Sequence, residues 1–336
     1  MDLWDFRGSF MFIFNGHSDI LSDINLRRLK GEKDVFRRYH YENFLKSNVK
    51  SVIWVIWTDP QHINKPKGRT SQIINSMKEE FVEDADIINV VKEYKDFEKG
   101  FKEDKINVLV GMEGLDHIEG NIDLIEKYYN NIGLRHVSLT WNKKNMLASG
   151  VDDDINGITS LGRKAIEKIE ELGILLDVSH LNEKSFWDVA NIASGPIIAS
   201  HSNAKHFANV KRNLDDEQLI SIAESGGLVG VNSVSVFVNK DKENQKIDNL
   251  IDQIDYIRSL IGIEHIGFGF DFCDFLPQSY VGRPDPRTNS ITVEGLSSEA
   301  DIGKLINRME KRGYREKEIE LIAYKNYDNL LNKVLC

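Results

Sequence analysis

Cysteine is nearly missing from this chain. Only Cys273 and Cys336 occur in 336 residues, so there is no disulfide framework, and the count fits a reducing compartment. A basic excess is missing as well, since the formal net charge is −10. Phosphate backbones and anionic lipid surfaces both select cationic partners, so neither nucleic acid nor a membrane is expected as a partner. No apolar run reaches the length of a membrane span. The opening residues, MDLWDFRGSFMFIF, make a poor signal peptide: Asp2, Asp5 and Arg7 interrupt them, and no small-residue cleavage site follows. The expectation is a soluble, cytoplasmic protein. No linker, low-complexity segment or short repeat divides the chain.

What is present is a series of eight short apolar runs. They are FMFIF (10–14), SVIWVIW (51–57), INVLVGM (106–112), HVSLTW (136–141), ILLDVS (174–179), PIIASH (196–201), LVGVNSV (228–234) and HIGFGF (265–270). Most are continuous rather than alternating, which is how strands buried on both faces read, and parallel sheets are buried on both faces. Helical patterns lie between them. In TSLGRKAIEKIEELG (159–173), Leu161, Ala165, Ile166, Ile169 and Leu172 share a face and Gly173 ends it. In DDEQLISIAESGG (215–227), Asp215 and Gln218 have capping-box spacing. DLIEKYYNNIG (123–133) has the same form.

Eightfold strand–helix alternation predicts an α/β fold, a single (β/α)8 TIM barrel over 1–336. An open doubly wound sheet is the alternative, disfavoured because no Gly-rich phosphate turn follows the first strand. The long gap at 58–105 predicts an extra helix. DFLPQSYVGRPDPRTNSITVEG, after the eighth strand, holds three of the six prolines and predicts a long loop over the barrel mouth. Residues 298–334 predict two further helices.

Barrel enzymes carry their chemistry at the C-terminal ends of the strands. There the sequence places His17 and Asp19 (FIFNGHSD), Glu113 (VGMEG), His180 (DVSH), His201 (IIASH) and Asp271 (GFGFD). Each has an ordinary explanation when taken singly: a core histidine, a helix cap, loop chemistry. Those explanations give no reason for convergence at one end of one barrel. Three imidazoles and two carboxylates suit zinc-like ions. They exceed what one four-coordinate ion needs and suit a two-metal site with one bridging carboxylate. Water held there becomes a nucleophile near neutral pH, and Asp271 is left over to move its proton. The remaining histidines are read as structural, with His117 the one nearest Glu113.

These residues, together with NGHSD, GMEG, LTWN, GILLDVSH, PIIASHS, KRNLDDEQL, GLVGVN and HIGFGFDF, resemble the renal (membrane) dipeptidases. That family is a metallopeptidase branch near the amidohydrolases. The likeness runs from about residue 13 to about 334 and leaves 1–10 as a poorly defined N-terminal extension. It implies two Zn2+ ions. His17, Asp19 and Glu113 would hold one, and Glu113, His180 and His201 the other, with Glu113 bridging. It implies that Arg212 binds the C-terminal carboxylate of a dipeptide, a job suited to a planar guanidinium, and that Asp271 transfers the proton. One departure stands out. Where the family usually has a substrate-contacting histidine, this chain has Trp141, with Asn142 beside it as a substitute donor. The family's lipid anchor is not carried over, because the tail NLLNKVLC is too short for an anchor signal.

The expected function is therefore zinc-dependent hydrolysis of free dipeptides by a metal-bridging hydroxide. Trp54 and Trp57 are candidate pocket walls, with at least one of them assigned to packing. L,D dipeptides are expected among the substrates, since the family accepts a D-residue at the C-terminal position. A homodimer is allowed by the same likeness. Two other readings stay open: a binuclear hydrolase of another amide, a lactam or an ester, and a barrel that binds metal or peptide without turning it over.

Overall fold

The computed structural model describes residues 11–281 and 290–335. Nine parallel strands form one sheet: β1 (Ile13–Ser18), β2 (Val49–Trp57), β3 (Ile88–Val90), β4 (Ile106–Glu113), β5 (Leu134–Ser138), β6 (Leu175–Asp177), β7 (Ile197–Ala199), β8 (Leu228–Val231) and β9 (Ile266–Phe268). Pairing runs β2–β1–β9–β8–β7–β6–β5–β4, and β2 pairs with β4 to close the ring. The result is an eight-stranded α/β barrel of the TIM type. β3 is the ninth strand, and it lies outside the ring against the first half of β4, from Ile106 to Val108.

Each of the eight apolar runs overlaps a barrel strand. The gap at 58–105 holds a helix, Pro66–Glu83, as expected, and a second one, Lys95–Lys102. Between them β3 was not foreseen, because three residues are too few to show a period. The capping box forms at Asp215, whose side chain accepts from the Gln218 backbone N–H at 2.9 Å, while Gln218 accepts from the Asp215 backbone at 3.0 Å. Thr159 caps the helix Ser160–Glu171. At the C-terminus, Ile302–Lys311 is one helix. Glu316–Glu320 continues through a π turn, Leu321–Lys325, into Asn326–Val334. Part of the proline-bearing loop after β9 lies outside the described residues.

Two apolar layers position the active end. The larger fills the space between strands and surrounding helices. The smaller packs Phe14, Ile53, Leu109, Leu175, Ile198 and Leu228 from the strands against Tyr324, Tyr327 and Leu331. The C-terminal helix thus plugs the barrel floor. Gly16 is required by that plug, since a Cβ there would lie 1.9 Å from the Tyr327 hydroxyl. No helix among the described residues is long and apolar enough to cross a membrane.

Candidate metal centre and substrate cleft

β1 differs from expectation in a way that matters here. It does not stop at Asn15-Gly16 but runs through His17 to Ser18, with an irregular register against β2 between Asn15 and Ser18. Asn15 Oδ1 accepts from the His17 N–H at 3.3 Å and the Phe270 N–H at 3.1 Å, standing in for ladder bonds that the irregularity disrupts. His17 and Asp19 are both buried at the barrel's C-terminal end. Glu113 closes β4, and His180, His201 and Asp271 follow β6, β7 and β9. His180 and Asp271 adopt left-handed backbone, with φ of 70° and 59°. Such a conformation costs a non-glycine residue about 1–3 kcal/mol and is typical of residues aimed for function.

Glu113 Oε1 is the hub of the cluster. His180 Nε2 is 2.8 Å from it, His201 Nε2 3.4 Å and His17 Nε2 3.7 Å. Asp19 Oδ2 and Asp271 Oδ1 lie 3.8 and 3.9 Å from the same His17 Nε2. The ligand atoms of His17, Glu113 and His201 are all within 4.8 Å of one another, and so are those of His17, Asp19 and Asp271. All six residues expected at the centre are brought together, and Glu113 alone touches three imidazoles.

The donor set fits divalent metal. Both ring nitrogens of His17 and Oδ1 of Asp19 are buried without a hydrogen-bond partner among the described residues. Such groups are costly to bury unless something satisfies them. Burial lowers the pKa of His17 to about 4 and outweighs the opposing pull of Glu113. Burial also depresses His180, assisted by Arg212, and His201, assisted by His17. All three are neutral at pH 7, which is the form that ligates metal. The carboxylates are displaced the other way. Burial and then the Glu113 charge raise Asp19, and burial raises Glu113. Asp271 is pushed up to about 7, by burial first and Glu113 second. Three carboxylates whose charges disfavour one another and three neutral imidazoles make a donor-rich cage that a cation would balance.

Several supporting contacts escaped the sequence reading, which expected Asn142 only as a donor to substrate. Asn142 lines the cleft, and its Oδ1 accepts from His180 Nδ1 at 2.7 Å, which leaves the Nε2 lone pair facing the cluster. Asn232 donates to Asp271 Oδ2 at 3.1 Å and to the His201 carbonyl at 3.2 Å. Asp177 is a buried carboxylate at the end of β6, next to His136 of β5. Burial opposes its charge, yet bonds from His136, Ser200 and the Ser179 N–H hold it well below the usual carboxylate range. The one visible signal was an aspartate inside the otherwise apolar run ILLDVS. His117 stays a core residue: it packs on the Tyr128 ring at 5.3 Å.

A cleft of about 540 Å³ opens above the cluster, lined by Asp19, Glu113, His180 and Asp271 at its polar end. Trp57, Trp141 and Tyr280 wall one side, the two indoles meeting edge-on at 5.4 Å. Trp54 instead packs in the core, against Phe36 and Phe81. Arg212 lines the cleft, with Nη2 3.2 Å from His180 Nε2 and the guanidinium 5.6 Å above the Phe237 ring.

The membrane dipeptidase family (peptidase family M19) matches residues 9–334. The chain belongs to this family. Its members are metal-dependent hydrolases of dipeptides, and this chain is a metallo-dipeptidase. It is 31% identical over 245 residues to an uncharacterized protein in the pqqA 5' region of Klebsiella pneumoniae, covering 69% of this chain and 84% of that one. It is 24% identical over 325 residues to the dipeptidase tcpJ of Claviceps purpurea, covering 91% of this chain and 72% of that one. Its fold matches that of a metallopeptidase from Rhodobacter sphaeroides, solved with a phosphinate mimic of the dipeptide L-Ala-D-Ala. The TM-score is 0.84 at 20% identity, over 97% of this chain and 100% of the other. The cluster around Glu113 is a candidate His/Glu site for the metal that a metallopeptidase implies.

Proposed function

We propose that this dipeptidase hydrolyses the single peptide bond of free dipeptides, L,D as well as L,L, at a centre of two zinc ions. The observation that carries the reading is the convergence of His17, His180 and His201 on one oxygen of Glu113, with Asp19 and Asp271 alongside. His17 and Asp19 would hold one ion and His180 and His201 the other, with Glu113 shared. Bound there, the ions supply Lewis acidity, lowering the pKa of a nucleophilic water and polarising the scissile carbonyl.

The chain's own residues do the rest. Asp271 takes the proton of the attacking water and hands it to the departing amine as the C–N bond breaks; a carboxylate beside that water is placed for both transfers. Asn232 fixes the carboxylate in place for them. Arg212 pairs with the C-terminal carboxylate of the substrate, which restricts the enzyme to dipeptides. The Trp57–Trp141–Tyr280 wall excludes water and receives an apolar side chain. Trp141 offers a single N–H donor where the family has a histidine. The Rhodobacter sphaeroides enzyme, bound to its L-Ala-D-Ala mimic, supports the inclusion of L,D dipeptides among the substrates.

The test is a panel of L,L and L,D dipeptides, with free and amidated C-termini, given to zinc-loaded protein with and without chelator. Chelator-sensitive cleavage confined to free-carboxylate dipeptides is expected. Cleavage of amidated substrates at the same rate would remove the carboxylate clamp, and chelator-insensitive cleavage would remove the metal.

A further inference from the structure

Asp177 is fully committed, and its commitments point at one metal ligand. Oδ1 accepts from the backbone N–H groups of Ser179 at 2.8 Å and Ser200 at 3.0 Å. Oδ2 accepts from His136 Nε2 at 3.0 Å and from the Ser200 hydroxyl at 2.5 Å. A serine hydroxyl has one proton, and here it is given to Asp177. Ser200 Oγ also lies 2.7 Å from His201 Nδ1, and toward that atom it can only accept. His201 therefore carries its proton on Nδ1. Its lone pair is on Nε2, the atom 3.4 Å from Glu113 Oε1.

We propose that Asp177 and Ser200 are positioning residues of the metal centre. The Asp177 carboxylate fixes the Ser200 hydroxyl as an acceptor, and that hydroxyl fixes the tautomer and ring orientation of His201 for ligation. The inference rests on the reading that His201 binds metal. A purely structural Asp177 would need only its two backbone bonds and His136, which already tie β5, β6 and the segment after β7. The Ser200 hydroxyl, set between the carboxylate and the imidazole, adds nothing to that tie; it serves the ring. Partners of this kind hold ligating imidazoles in metal sites generally, and their loss weakens metal binding about 10–100-fold.

The experiment measures cobalt(II) and zinc affinity by competition with a chromophoric chelator, and the visible spectrum of the cobalt form. Wild type, Ser200→Ala, Asp177→Asn, His201→Ala and the Ser200→Ala/His201→Ala double variant are compared. Ser200→Ala is expected to weaken one of the two sites about 10–100-fold and to shift the cobalt bands. Its metal-free thermal midpoint is measured alongside, so that lost metal affinity is separated from lost fold stability. In the His201→Ala background the same substitution should change nothing further. Asp177→Asn should act in the same direction, and Ser200→Ala carries the test if that variant does not fold. Wild-type affinity and spectrum in Ser200→Ala overturn the proposal. So does an equal loss in the His201→Ala background, which would show an effect that bypasses His201. A wild-type protein that binds no metal overturns the underlying reading and the proposal with it.

Discussion

The Nε2 atoms of His180 and His201 lie 2.9 Å apart. Both rings keep their protons on the far side, His180 against Asn142 and His201 against Ser200. Two imidazole lone pairs facing each other repel, and a cation between or beside them turns the repulsion into coordination. In the same place Glu113 and Asp19 are buried carboxylates whose charges oppose each other. Beside them, both ring nitrogens of His17 and Oδ1 of Asp19 have no hydrogen-bond partner among the described residues, so the folded chain holds ligand atoms that it does not satisfy by itself.

Metal should consequently stabilise the fold. A ligand that binds only the folded state at a thousand times its Kd adds about 4 kcal/mol. Chelator-treated protein is expected to melt at a lower temperature than zinc-loaded protein, and zinc should restore the midpoint. Calorimetry checks this, and identical midpoints would contradict it.

Asp271 should matter for turnover and little for loading. Asp271→Asn keeps the Asn232 neighbourhood polar but removes the proton carrier. It is expected to lower kcat by about 10²–10⁴ while metal content is retained. Metal analysis alongside steady-state kinetics separates the two effects. Turnover at the wild-type rate would exclude Asp271 from proton transfer.

Arg212→Ala should raise KM for free-carboxylate dipeptides by about 10–100-fold, the worth of a charge-assisted pair at about 1.5–3 kcal/mol. The loss should vanish on C-terminally amidated analogues. Parallel KM measurements decide it, and equal losses on both substrate classes would count against the clamp.

His117 gives the fold an acid sensitivity separate from the metal. Burial lowers its pKa from the ordinary 6.5 to about 4. Below pH 6.5 the unfolded chain binds a proton that the folded chain refuses. The contribution of His117 to stability is thus complete above pH 6.5 and is lost progressively as pH falls toward 4. Between pH 7.5 and 5 the loss is about 2 kcal/mol. Urea unfolding of metal-free protein at both values should show a shallower loss in His117→Leu than in wild type.

Much of this was legible in the sequence, for identifiable reasons. The barrel strands are buried on both faces, so runs such as SVIWVIW and INVLVGM appear unbroken. The capping box at Asp215 is local, and it formed as read. The six residues of the cluster stood out because each follows a strand and each is a ligand type. What stayed hidden depends on partners distant in the chain. Asp177 has meaning only once His136 and Ser200 reach it from neighbouring strands. Asn142 looked like a stand-in donor to substrate, and its bond to His180 spans a whole helix and strand. The inclusion of His17 within β1 goes with Asn15 accepting from the Phe270 N–H, a contact between the first strand and the segment after the last.

The central claim is a two-metal centre shared through Glu113. Anomalous diffraction at the zinc edge, from crystals of zinc-loaded protein, tests it most directly. The account predicts two peaks about 3.5–4 Å apart, one contacting His17 and Asp19, the other His180 and His201, with Glu113 between them. A single peak, or zinc bound away from Glu113, would contradict it.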